Sequence, residues 1–225
     1  MKFDHDAYAR TRPLDDFWGQ IRRTVQGVAV SEDQIQMIVD AIRAALDIKP
    51  SDGLIDIACG NGALSHRLFS SCADFLGIDL SEHLISVAKS NFEVLPHYRF
   101  EQQGAAEYVR AELQAERFTK SLCYGSFSYF LAADAAEVLC TLFDKFSNVQ
   151  SVFIGNLPDK DRVAEFYKEM PTIEELTDCH SQIGIWRTRS EFSELACAAG
   201  WKVKFSTMPT GFYSSRYRYD ALLSR

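Results

Sequence analysis

The chain has 225 residues, 47% of them hydrophobic, with 24 Lys and Arg against 31 Asp and Glu and a formal net charge of -7. That length fits one large domain, or one domain with a small appendage, and the composition excludes disorder over most of it. The acidic balance argues against a broad phosphate-binding face, so no nucleic-acid partner is expected, and no apolar run nears the ~18 residues of a membrane span.

Met1-Lys2-Phe3-Asp4-His5-Asp6 places acids where a secretory signal needs basic and then apolar residues, so a cytoplasmic protein is expected. Over residues 1–30, Tyr8, Phe17 and Trp18 sit among Arg10, Arg12, Arg22 and Arg23, a mixture suited to an arm or lid packed on a core. Ser31-Glu32-Asp33-Gln34 has the form of a capping box, and Ile35, Ile38, Val39, Ile42, Ala45 and Leu46 follow at helical spacing. Lys49-Pro50-Ser51-Asp52-Gly53 ends that helix with turn chemistry.

Strand and helix patterns then alternate to the end of the chain. Strands are predicted at Leu54 to Ala58, Phe75 to Ile78, Tyr98 to Glu101, Ser121 to Tyr124, Ser151 to Ile154, Trp201 to Thr207 and Tyr217 to Leu223, the last two pairing antiparallel. Helices are predicted at Asn61 to Ser70, Ser81 to Ser90, Ala135 to Phe146, Asp161 to Glu169 and Ser190 to Ala199. This order gives an α/β domain over residues 31–225, a mostly parallel sheet with helices on both faces. The six cysteines are scattered without a C-x-x-C pair, which points to reduced thiols rather than a disulfide framework or a zinc site.

Chemistry concentrates at Leu54-Ile55-Asp56-Ile57-Ala58-Cys59-Gly60-Asn61-Gly62, where a strand feeds a glycine-rich turn whose amides can approach a ligand closely. Asp56 lies inside the strand, where a carboxylate is costly unless it meets a cation or donors. Asp79 ends the second strand, beside the first loop, in position to accept hydrogen bonds from a ribose diol. The competing local roles are satisfaction of nearby amides by Asp56 and capping of the next helix by Asp79.

Asp56-Ile57-Ala58-Cys59-Gly60-Asn61-Gly62 resembles motif I of class I S-adenosylmethionine-dependent methyltransferases, and Leu76-Gly77-Ile78-Asp79-Leu80-Ser81 resembles the segment that follows it. The resemblance implies a three-layer Rossmann-like fold with a seven-stranded, mostly parallel sheet and an antiparallel C-terminal strand. It implies S-adenosyl-L-methionine as cofactor, with Asp56, Ala58, Cys59, Gly60, Asn61 and Gly62 at the methionine part. It also implies Asp79 on the ribose hydroxyls and Leu80 on the adenine. Gly104 falls where the family commonly has an adenine-contacting acid, which moves that contact to Gln103 or the Ala105 backbone. Ala58 replaces the first motif glycine, an exchange that fits a negative φ. The rival for this loop, a nicotinamide-dependent oxidoreductase, wants a third glycine where Ser65 stands and gives no reason for Asp56. A non-catalytic protein that keeps only the cofactor pocket is the third alternative.

Methyl transfer is an in-line displacement in which alignment and desolvation of the acceptor suffice, with or without a general base. Tyr124, at the end of the fourth strand, is a candidate for both cofactor contact and catalysis, and His180, in an irregular covering stretch, for the base. Tyr8 and Trp18 from the arm and Asn156 and Asp159 after the fifth strand are candidate acceptor contacts. A small-molecule acceptor methylated on oxygen or nitrogen, such as a sugar or nucleotide-sugar, is expected from their polarity. The segment after the fourth strand carries neither the Asp/Asn-Pro-Pro-aromatic motif of base methylases nor an acid for a metal, so no metal is expected. Tyr213, Arg216, Tyr217, Arg218 and Tyr219 form a basic, aromatic cluster explained mostly by packing. The oligomeric state is left open.

Overall fold

The computed structural model describes residues 4–225; the first three residues of the expected arm, and of the stretch read against a signal, lie outside them. The chain begins with two short helices, α1 (His5–Arg10) and α2 (Phe17–Gln20), whose N-caps Asp4 and Asp16 accept from Ala7 and Gly19 amides. A hairpin of β1 (Thr24–Val25) and β2 (Val28–Ala29) turns on Gln26 and Gly27. Both turn residues have positive φ (51° and 81°), as a two-residue primed turn requires.

Helix α3 (Glu32–Leu46) buries Ile35, Ile38, Val39, Ile42 and Leu46, the stripe read from the sequence, and stops at Asp47 in a left-handed conformation. Its predicted capping box does not form. The Ser31 side chain makes no cap bond. Gln34 instead donates to the Gly211 carbonyl (3.2 Å) and accepts from the Tyr213 amide (2.8 Å). A long-range contact has taken the side chain that local chemistry offered to the helix.

There follow β3 (Gly53–Ile57), β4 (Asp74–Asp79), α4 (Glu82–Phe92), β5 (Tyr98–Gln102), α5 (Ala105–Ala111), β6 (Lys120–Tyr124), α6 (Ala132–Asp144) and β7 (Ser151–Pro158). The chain closes with α7 (Ile173–Thr177), α8 (Arg189–Ala198), β8 (Lys202–Ser206) and β9 (Arg218–Ser224). Seven strands make one sheet in the order β5-β4-β3-β6-β7-β9-β8. β3 to β7 are parallel, and β9 runs antiparallel between β7 and β8. Every residue of β3 is buried, as expected of a central parallel strand. Alternation along the strands sends Ile55, Ile57, Leu76 and Ile78 to the layer shared with Val138 of α6 and Phe192 of α8. It sends Leu54, Phe75, Leu122 and Phe153 to the layer shared with Ile38 of α3 and Ile85 of α4.

Two predicted helices change character. Residues 61–64 are turns, and Ser65–Ser71 is a 3₁₀ helix whose first hydroxyl is fastened to Asp56. Lys160–Glu165 is also 3₁₀, broken at Arg162, because Asp159 accepts from the Asp161 amide and tightens the start. Short helices α5 and α7 carry too few apolar repeats to stand out from the sequence. The sheet order reverses at β3, with β4 on one side and β6 on the other. This opens a crevice above the strands' carboxyl ends.

Candidate functional site

The loop after β3 alternates handedness. Ala58, Gly60 and Gly62 all have positive φ, at 61°, 61° and 74°. Gly62 has a further reason to lack a side chain, since a Cβ there would lie 2.7 Å from the Phe100 ring. The negative φ expected at Ala58 is therefore wrong: an L-residue sits in the left-handed region, at a cost of about 1–2 kcal/mol. Glycine would relieve that cost but lose about 0.5–1 kcal/mol in chain entropy. Ala58→Gly is expected to raise unfolding free energy by up to about 1 kcal/mol, measured by urea denaturation; a loss of stability would show that the methyl group packs usefully.

Two carboxylates stand at the strand ends. Asp79 accepts from the Gly60 amide (2.8 Å) and the Ser81 amide (2.9 Å), while burial pushes its carboxyl above the usual range. Asp56 is 3% exposed and accepts from the Ser65 hydroxyl at 2.5 Å. Burial pushes it up to about 7 against that hydrogen bond, and the nearby Asp79 charge adds to the rise. Among the described residues, no basic side chain forms an ion pair with either one. The result is a pair of buried carboxyls that burial holds above their ordinary range, with the Arg23 charge near Asp56 but no ion pair to either.

The arm is tied across this loop. Asn61, fully buried, donates to the Phe17 carbonyl and to Gln20 Oε1, both at 2.8 Å. Ile21 touches the loop where a Cβ on Gly60 would lie 3.0 Å from its methyl. Asp6 accepts from the Ser81 hydroxyl, and Arg22 donates to the Gln182 carbonyl (2.8 Å). Arg23 is 7% exposed, with its guanidinium over the rings of Tyr124 (4.9 Å) and Trp18 (5.9 Å). Its Nη1 has no hydrogen-bond partner.

Beneath the arm lies a cavity of about 1330 Å³. Of the residues singled out in the sequence, Ala58, Gly60, Asp79, Leu80, Gln103, Ala105, Asn156 and His180 line it. Leu80 is 74% exposed, an apolar side chain offered to the cavity. A narrow side pocket of about 50 Å³ joins Asp56, Cys59 and Tyr124 to Arg23. Others are not brought to the cavity. Asn61 faces the arm, and Gly62 faces Phe100. Trp18 packs on the α3 layer, and Tyr8 lies beside Arg22 (5.8 Å) off the cavity wall. Asp159 is 3% exposed and serves as the cap of the 3₁₀ turn, with Arg162 and Arg189 at 3.8 Å. Tyr124 lines the side pocket, buried with its hydroxyl unpartnered, and burial pushes the phenol well above its ordinary value. His180 does reach the wall, its amide donating to Asp178.

The sequence reading missed Arg23 as a site residue and gave Tyr213, Tyr217 and Arg218 mainly to packing, yet all four line the cavity. Glu107, three residues past Gly104, also faces it and supplies an acid near the place where the third motif lacks one. The arginine and tyrosine clusters were the available signal.

A family model described as "Methyltransferase domain" matches residues 54–145. A curated relative, Ribosomal RNA small subunit methyltransferase A from Pseudomonas syringae pv. tomato, is 33% identical over 79 residues. The match covers 35% of this chain and only 30% of that relative's length. Among solved structures, magnesium protoporphyrin IX methyltransferase from Synechocystis PCC 6803 with bound S-adenosylhomocysteine superposes with TM-score 0.63 at 19% identity, covering 93% of each chain. The methyltransferase domain of bacterial CtHen1 superposes with TM-score 0.63 at 16% identity, covering 85% of this chain and 100% of that one. These two likenesses establish the fold. The expected exclusion of nucleic acid is overturned, because six curated relatives carry the ribosomal RNA methyltransferase name. Net charge describes the whole surface, whereas this cavity holds its own arginines. The motif loop lies within the stretch that the methyltransferase-domain model matches, and the chain has the fold of these solved methyltransferases.

Proposed function

We propose that the chain transfers a methyl group from S-adenosylmethionine to an oxygen or nitrogen of an acceptor seated at the arginine-rich end of the cavity. One observation carries this: two buried carboxyls with no ion-pair partner among the described residues lie near a buried arginine whose Nη1 has no hydrogen-bond partner. An α-amino acid sulfonium matches that set, with its ammonium toward Asp56 and its carboxylate toward Arg23. Asp79 would accept from the ribose hydroxyls, Leu80 would cover one face of the adenine, and Gln103 and the Ala105 backbone would meet its edge. Bound there, the cofactor supplies an electrophilic methyl whose sulfur leaves without acid assistance.

The chain's own part is to align the acceptor and keep water out. The arm roofs the crevice through the Asn61 and Asp6 bonds, and His180 stands on the wall as the imidazole available to take the acceptor's proton at a ring nitrogen. With Asp159 withdrawn into its cap, Asn156 alone no longer argues for a sugar. An RNA nucleotide is a second acceptor class, favoured by the curated relatives' name.

Thermal melting tests the cofactor assignment. S-adenosylhomocysteine at 100 times its Kd is expected to stabilise the chain by about 2.7 kcal/mol, while NAD at the same concentration leaves the melting temperature unchanged. Stabilisation by NAD alone would return the loop to dinucleotide binding.

A further inference from the structure

The cavity is polarised by the order of the strands. Over β4 and β5 its wall carries Asp79, Glu82 and Glu107, with Arg10 paired to Glu82 and Arg110 on α5; over β7 and β9 it carries Arg218 without an acid paired to it among the described residues, and Arg22 and Arg23 reach in from the arm. A cation and an adenosine suit the first end. The second end is basic and aromatic, with Tyr129, Tyr213 and Tyr217 around Arg218.

Arg218 is held in place with the buried Asp220 carboxyl near enough to feel its charge but forming no ion pair with it. Its Nη1 donates to the Asn156 carbonyl at 2.5 Å, and its guanidinium lies 5.3 Å from the Tyr217 ring centre. No carboxylate among the described residues forms an ion pair with it. Asp220, two residues on, is 3% exposed and spends one oxygen on the Asn156 amide (2.7 Å). Asn156 has a φ of 63°, a left-handed backbone, and its side-chain oxygen accepts from Ser214 (3.1 Å). A fixed guanidinium fork with donors to spare, among tyrosine rings, is a receptor for a planar anion.

On the proposed assignment the cofactor's one carboxylate goes to Arg23, which lines both the main cavity and the side pocket beside Asp56. Arg218 lines the main cavity and not that pocket, so it is left for a second anion. We propose that the methyl acceptor is a ring-bearing anion, a carboxylate or a phosphate, whose charge Arg218 receives while Tyr213 and Tyr217 flank the ring. This rests on the assignment of the cavity to methyl transfer.

The test uses the full chain saturated with S-adenosylhomocysteine, so that the cofactor's own anion site is filled. Melting is then followed with 4-hydroxybenzoate and its methyl ester, phenyl phosphate and phenol, and uridine 5′-monophosphate and uridine. Further stabilisation by at least one charged compound, and none by its uncharged counterpart, is the expected result; the 4-hydroxybenzoate, phenyl phosphate and nucleotide arms separate the carboxylate and phosphate sources. Arg218→Gln is expected to weaken that compound roughly ten- to a hundredfold, with Arg218→Lys recovering part of the loss and S-adenosylhomocysteine affinity unchanged in both. Equal effects of charged and uncharged partners, no effect of any charged compound, or an unaltered Arg218→Gln variant would each overturn the proposal. If Arg218→Gln does not fold, the charged and uncharged pairs on the unaltered chain still decide. Absence of any shift with S-adenosylhomocysteine itself would instead overturn the cofactor assignment.

Discussion

Asp56→Asn is expected to make the unliganded protein more stable at pH 8 and, at the same time, to cripple cofactor binding. The carboxyl keeps its proton up to about 7 in the folded chain, against 3.8 as its ordinary value. Folded protein therefore binds more protons than unfolded protein between those limits, and this group's contribution to stability falls as pH rises through that window, reaching its full deficit of a few kcal/mol above it. Asparagine still accepts from Ser65 but carries no charge to desolvate. The variant's melting temperature at pH 8 should exceed that of the parent, and the gap should close toward pH 4. Loss of the ammonium's partner should cost about 2–5 kcal/mol in binding S-adenosylmethionine, roughly thirty- to several thousandfold in Kd by calorimetry. A variant that melts lower at pH 8 and binds normally would place Asp56 among purely structural groups.

Arg23→Gln separates two parts of one ligand. S-adenosylhomocysteine and 5′-methylthioadenosine share the adenosine and the sulfur, but only the first has an amino-acid carboxylate. If Arg23 meets that carboxylate, its loss should weaken S-adenosylhomocysteine by about 1.5–3 kcal/mol, ten- to a hundredfold, and leave methylthioadenosine untouched. Titration calorimetry of both ligands with both proteins completes the cycle. Equal weakening of the two would mean that Arg23 acts by holding the arm, stacked as it is over Trp18 and Tyr124. No weakening of either would remove it from the site.

Legibility in the sequence followed the range of the interactions. Leu54 to Ile57 and Phe75 to Ile78 read as buried strands because their apolar runs answer to the sheet alone, and Asp79 reads as a strand-end acid for the same reason. Asp159 was ambiguous by nature: a residue suited to binding hydroxyls is equally suited to capping a turn, and burial against Arg162 and Arg189 decided it. Asn61 looked like a loop residue for the cofactor, but its partners Phe17 and Gln20 lie 44 and 41 positions earlier, and nothing local announces them. Gln34 was assigned to its own helix until Tyr213, 179 positions on, supplied a better donor. The left-handed Ala58 breaks the ordinary preference of an L-residue, and only the backbone trace reveals it.

Strand β9, last in the chain, is not last in the sheet; it lies between β7 and β8. Synthesis from the N-terminus therefore delivers β3 to β6, with the motif loop and both strand-end acids, well before the strand that carries Arg218. Until β9 arrives, β7 presents a bare edge in the centre of the future sheet, open to pairing with any extended segment nearby. A nascent chain arrested before Arg218 has the motif loop and the Asp79 side of the crevice and none of β9's wall. The two sides of the cavity are separated in time on the ribosome as they are separated in space by the sheet, and loss of β9 would cost the protein both the Arg218 wall of the cavity and the protection of the β7 edge.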